Sequence, residues 1–80
     1  MRNNKEALRA EEMRLQRLRK IVDLTAALIW QADLTLPDAQ KLVNDARVKA
    51  LELFPDKGET FDLIYGSRLH RILVERYHLQ

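Results

Sequence analysis

From Ile21 to Trp30 the chain reads Ile-Val-Asp-Leu-Thr-Ala-Ala-Leu-Ile-Trp. Plotted as a helix at about 100° per residue, its apolar side chains point in nearly every direction, interrupted only by Asp23 and Thr25. A surface helix hides one stripe, whereas a helix apolar all round needs cover on every side. Other helices of the chain, a second copy or a partner must supply that cover. Upstream, Leu8, Leu15, Val22 and Ile29 recur at steps of seven, with Glu11, Leu18 and Thr25 three residues after the first three. This is a heptad seam whose second position is only partly apolar. The pattern predicts one long helix over about 4–31, and Asn3 with Glu6 has the spacing of a capping box. Such a helix is roughly 40 Å long. No later helix can match it, so its first half is expected to overhang the body as a solvated arm or to pair with another molecule.

Gln31 to Thr35 reads as a connection. Thr35 is a good N-cap, Pro37 falls in the first turn where its missing N–H costs nothing, and Asp38 completes T-x-x-D. The second helix is predicted over about 36–53, since the residue before Pro55 is pushed out of helical geometry. Its apolar face is Ala39, Leu42, Val43, Ala46, Ala50, Leu53 and Phe54; the three alanines would let its backbone approach the first helix closely. Val48 and Leu51 are left off that face. Pro55-Asp56-Lys57-Gly58 reads as a turn, with Asp56 and Glu59 spaced to cap a third helix. Beyond it, Phe61, Ile64 and Tyr65 centre on one direction, while Leu69, Ile72, Leu73 and Tyr77 centre almost a quarter turn away. An unbroken helix would put Arg68 in the middle of the stripe. Gly66 is a natural stop and Ser67 a natural start, so a break is predicted between helices over about 57–65 and 67–78. The expected fold is an all-α bundle of four helices (about 4–31, 36–53, 57–65 and 67–78).

Eighty residues allow one domain and one core. A core of this size rarely contributes more than about 3–5 kcal/mol of net stability, and without cysteine the remaining staple is oligomerisation. The net charge of +2 is too small to demand a polyanionic partner, but it is unevenly spread. Residues 1–20 carry seven bases against three acids, and residues 21–80 seven bases against nine acids. A basic helical arm (1–20) therefore precedes a mildly acidic core (21–80). The start of the sequence has no apolar leader, and the run ending at Trp30 is far short of the ~20 residues that span a bilayer. The expectation is a cytoplasmic protein with no membrane association.

The residues nominate no catalysis. Ser67 is the only serine, and capping accounts for it. His70 and His78 are eight residues apart on one predicted helix, about 12 Å along its axis and too far to share a metal. Glu11-Glu12 and Asp56/Glu59/Asp62 are ordinary helix-start carboxylates, and two isolated glycines build no phosphate loop. Neither enzyme activity, cofactor nor metal is expected. Nucleic-acid binding is the alternative function. Arg9, Arg14, Arg17 and Lys20 spread over one side of the first helix, opposite its seam. The last two predicted helices could instead form a helix-turn-helix presenting Arg68, Arg71 and His78. Aromatic residues for base stacking are absent from residues 1–29, and the body is net acidic, so this reading is not the favoured one. Association is favoured: a non-catalytic interaction or regulatory module, a homodimer or bound to a protein partner. Its candidate interface residues are Leu8, Leu15, Leu24, Leu28, Trp30, Val48 and Leu51. Arg76, inside the last apolar stripe, is expected to lay its stem along apolar surface or to meet a carboxylate of another chain.

Overall fold

Residues 4–20 contain no glycine, proline or β-branched residue, and only Asn4 among them is a weak helix former. In the computed structural model, which describes residues 4–79, a helix α1 accordingly runs unbroken over Asn4–Gln31. The Asn3–Glu6 capping box and Arg2 lie outside the described residues. Buried Leu18, Val22, Thr25, Ala26 and Ile29 fall within about 100° of one another around the helix. Thr25 sits in this stripe at no cost in unpaired polarity, because its hydroxyl donates to the Ile21 carbonyl at 2.8 Å.

Helix α2 spans Leu36–Leu53 and begins as expected: the Asp38 N–H donates to the Thr35 hydroxyl oxygen at 3.3 Å, with Pro37 in the first turn. It ends before Pro55, with the Phe54 N–H donating to the Ala50 carbonyl at 2.8 Å. Ala39, Ala46 and Ala50 are buried, so the backbone of α2 lies close against its neighbours.

The expected break at Gly66–Ser67 does not occur, and the described residues form three helices, not four. Helix α3 is continuous over 58–77: an α-helical turn Gly58–Phe61, one wide turn Asp62–Gly66, and a regular segment Ser67–Tyr77. In the wide turn the Ser67 N–H bonds the Asp62 carbonyl five residues back, and the Ser67 hydroxyl donates to the same oxygen at 3.3 Å. Gly66 has ordinary helical dihedrals (φ −61, ψ −43) and is no stop. One extra residue in a turn absorbs about 100° of rotation. That is the quarter-turn mismatch between Phe61/Tyr65 and Leu69/Ile72/Leu73, resolved without ending the helix. It also moves Arg68 off the stripe, onto the edge facing α1. The start of α3 differs too: Lys57, not Asp56, occupies the cap, and no side-chain cap bond forms. The helix closes at His78, in the left-handed conformation (φ 57, ψ 44), whose N–H bonds the Val74 carbonyl.

The helices run up, down and up. One cluster joins Leu18, Val22 and Ala26 of α1 to Ala46 and Ala50 of α2 and to Phe61 and Leu69 of α3. A second, nearer the α1–α2 connection, joins Ile29, Ala39 and Leu73. There the Tyr77 hydroxyl donates to the Leu34 carbonyl at 2.8 Å, tying the end of α3 to the connection. The core thus surrounds only the second half of α1. Residues 4–14 are all exposed, and the molecule measures 53 × 22 × 16 Å with a radius of gyration of 14.6 Å. A compact chain of this length has a radius of about 12 Å. The difference is the overhanging arm.

Candidate association surface

Two neighbouring regions of α1 carry the residues of interest. The first is the arm and its foot. Leu8 lies only about 20° around the helix from Leu15, so the seam that is buried at Val22 and Ile29 continues outward along the arm. Leu18 is buried, Leu15 half-buried, and Leu8 65% exposed. Where the arm leaves the body, a groove of about 240 Å³ opens between α1, the end of α2 and the start of α3. Its apolar walls are Leu15, Leu18, Phe54, Phe61, Ile64 and Tyr65, with Glu11, Lys57 and Thr60 among its polar groups. The rings of Phe61 and Tyr65 lie with centroids 5.8 Å apart, and the Arg14 guanidinium rests 5.6 Å from the centre of the Phe54 ring.

The wide turn of α3 shapes this groove. Phase on a plain helix puts Ile64 in the same direction as buried Phe61, yet Ile64 is mostly exposed, and Leu63 beside it is 76% exposed. The turn is held by Arg47 of α2, whose Nε and Nη2 donate to the two carboxylate oxygens of Asp62 at 2.8 and 3.1 Å. Hydrogen bonding from Arg47 is the main reason the Asp62 carboxyl titrates below the usual carboxylate range; the positive charge adds to it. The Arg47 guanidinium is raised by the same bond. Gly58 faces α2 here: a β-carbon at that position would lie in ordinary contact with Arg47 Nη2 at 3.4 Å and Leu51 Cδ2 at 3.5 Å.

The second region is the outer side of Ile21–Trp30. Leu24 is 62% exposed and Leu28 also bare, on one flank; Trp30 is 47% exposed on the other. The neighbouring helices therefore leave part of this segment in water. Leu24 and Leu28 follow Arg17 and Ile21 on the flank where those two, with Lys49, Glu52 and Leu53, line a shallow cleft. Val48 is exposed on the side of α2 opposite Ala46 and Ala50, and Leu51 is half-buried. The seven candidate residues do not form one patch: Leu8 and Leu15 belong to the arm and groove, Leu24 and Leu28 to one flank, Trp30 and Val48 to others, and Leu51 to the contact between α2 and Gly58 of α3. Sequence reasoning missed Leu63 and Ile64, because it read their segment as a plain helix.

The basic candidates separate as well. Arg9, Arg17 and Lys20 are exposed on the arm and its foot, whereas Arg14 is engaged with Phe54. Arg68 reaches Asp23 of α1 at 3.3 Å, and Arg71 is exposed. The helix-turn-helix weighed as an alternative for the last two predicted helices is not formed, because α3 has no turn at Gly66. Arg76 sits with its guanidinium 5.1 Å from the Tyr77 ring centre, and both histidines face solvent. No described helix is long and apolar enough to cross a membrane. Compared with protein-family models, curated proteins and solved structures, the chain has no match.

Proposed function

We propose that this chain is a small helical association module whose α1 pairs with a second copy, and that it acts by that pairing rather than by catalysis. The observation that carries the reading is the continuity of the α1 seam: the same heptad positions that hold the core at Val22 and Ile29 run on through half-buried Leu15 to exposed Leu8. An isolated helix shorter than ~12–15 residues is marginal in water, so an arm with no tertiary support gains from a partner helix. The exposed Leu24 and Leu28 support the same conclusion. Light scattering after gel filtration tests it. The expected result at tens of micromolar is a particle of twice the 9.4 kDa chain mass. A particle of single-chain mass overturns the reading.

The second reading is nucleic-acid binding by the arm, favoured by the exposure of Arg9, Arg17 and Lys20. It requires an electrophoretic shift with duplex or single-stranded probes at low salt, lost when Arg14, Arg17 and Lys20 become glutamate. No shift at micromolar protein excludes it.

A further inference from the structure

The flank of α1 that carries Leu24 and Leu28 is continuous with one side of α2, and the charges on this shared face are ordered along it. On α1, Arg17, Lys20, Ile21, Leu24 and Leu28 fall within about 100° of one another around the helix. On α2, Asp38, Leu42, Asp45, Lys49, Glu52 and Leu53 do so within about the same angle. The shallow cleft where Arg17 and Ile21 meet Lys49, Glu52 and Leu53 joins the two stripes. The middle of the face is apolar, with Leu24 and Leu28 exposed and Ile21, Leu42 and Leu53 half-buried. Because α2 runs opposite to α1, the exposed charges sort by position along the face. Toward the arm stand Arg17, Lys20 and Lys49, with Glu52 the acid among them. Toward the α1–α2 connection stand Asp45 and then Asp38, with Lys41 further round α2 on the side away from α1. The change of sign falls level with Leu24.

Resting on the association reading above, we propose that a second copy docks on this face of α1 and α2, antiparallel, about a two-fold axis that passes near Leu24. A face that is basic at one end and acidic at the other is its own complement when turned end for end. Both charged contacts then form at once, and the assembly closes as a dimer. Arg17, Lys20 and Lys49 of each chain lie toward Asp45 and Asp38 of the other, and the leucines meet between them as an apolar centre with a polar rim. A parallel pair would set like charge against like at both ends. Nucleic acid or an anionic lipid surface offers one sign of charge along its whole length, and so opposes Asp38 and Asp45. The charge order therefore selects a second copy as the occupant.

The chain has no cysteine, so introduced thiols are unambiguous. Leu24→Cys, near the axis, and Val48→Cys, on the side of α2 away from the core, both sit at exposed positions and are oxidised mildly in parallel. Leu24→Cys should form its interchain disulfide roughly tenfold faster or more, because pairing raises the effective concentration of one thiol at the other. Charge reversal supplies the second measurement. Asp38→Lys/Asp45→Lys makes both ends basic, and Arg17→Glu/Lys49→Glu makes both ends acidic. Each variant alone should raise the concentration of half-dissociation roughly tenfold or more, with its helical signal retained. An equimolar mixture of the two should pair again as a heterodimer. A particle of dimer mass in which Leu24→Cys links no faster than Val48→Cys, or a mixture that stays dissociated, overturns this arrangement and leaves association through another face. A wild-type monomer overturns both.

Discussion

Gly66 is the residue at which sequence and structure part most clearly, and its backbone makes a measurable difference. A glycine that stops a helix adopts left-handed dihedrals, and alanine there is strained. Gly66 is instead right-handed and mid-helix, and a β-carbon would meet nothing closer than 3.7 Å. Gly66→Ala should therefore stabilise the protein, by about 0.5–1 kcal/mol in urea unfolding. A loss of stability would restore the break. Asp62 gives a second residue-scale expectation. Its carboxyl is held below its unfolded value, so the Arg47 pairing contributes in full above about pH 4 and fades as pH falls through the lower folded value. Because the pair is exposed, the contribution is small. Asp62→Asn should leave the upper pH range nearly parallel to wild type, and the gap between the two stability curves should close on the acid side. A gap that widens toward acid would contradict the pairing.

At the scale of elements, much was legible. Thr35, Pro37 and Pro55 act through local sterics and capping, and they delimit α2 where those effects place it. The phase jump in α3 was legible as well, but its mechanism was not. A break and a wide turn produce the same mismatch, and Gly66-Ser67 has the composition of a break. What selects the wide turn is non-local: the packing of Phe61 and Leu69 into one cluster, with the exposed bidentate Arg47–Asp62 contact from α2 adding a smaller share. The same blind spot hid Ile64 from the candidate surface. Removing the extra residue offers a test. Deleting Leu63 puts Phe61 and Leu69 seven positions apart, in phase on a regular helix, and unfolding should remain cooperative with stability within about 1 kcal/mol of wild type. Deleting Asp45, also exposed, from regular α2 turns Ala46 and Ala50 about 100° away from Ala39, and should cost several times more. Equal losses would show that the wide turn holds no removable residue.

At the scale of the molecule, the sides of α1 that remain wet decide how it can pair. The all-round apolarity of Ile21–Trp30 called for cover on every side from other helices, a second copy or a partner; α2 and α3 cover one side, and Leu24, Leu28 and Trp30 are left out. It could not say that the arm's groove lies elsewhere, because that slot is built from three elements at once. Leu24→Asp, at a 62% exposed position, should change monomer stability by no more than about 0.5 kcal/mol. Leu15→Asp, half-buried in the groove, should weaken both fold and pairing. If pairing uses the flank, particle mass in light scattering falls more with Leu24→Asp than with Leu15→Asp. The reverse order would move the interface to the arm and groove.

The solitary indole of Trp30 stands some 33 Å of helix away from Leu8, with nearly half of its surface in water. It is consequently an intrinsic optical reporter at the far end from the groove. Fluorescence emission that stays red-shifted while the protein is diluted through its dissociation range would mean the indole keeps its hydration, as two chains that meet on the other flank of α1 require.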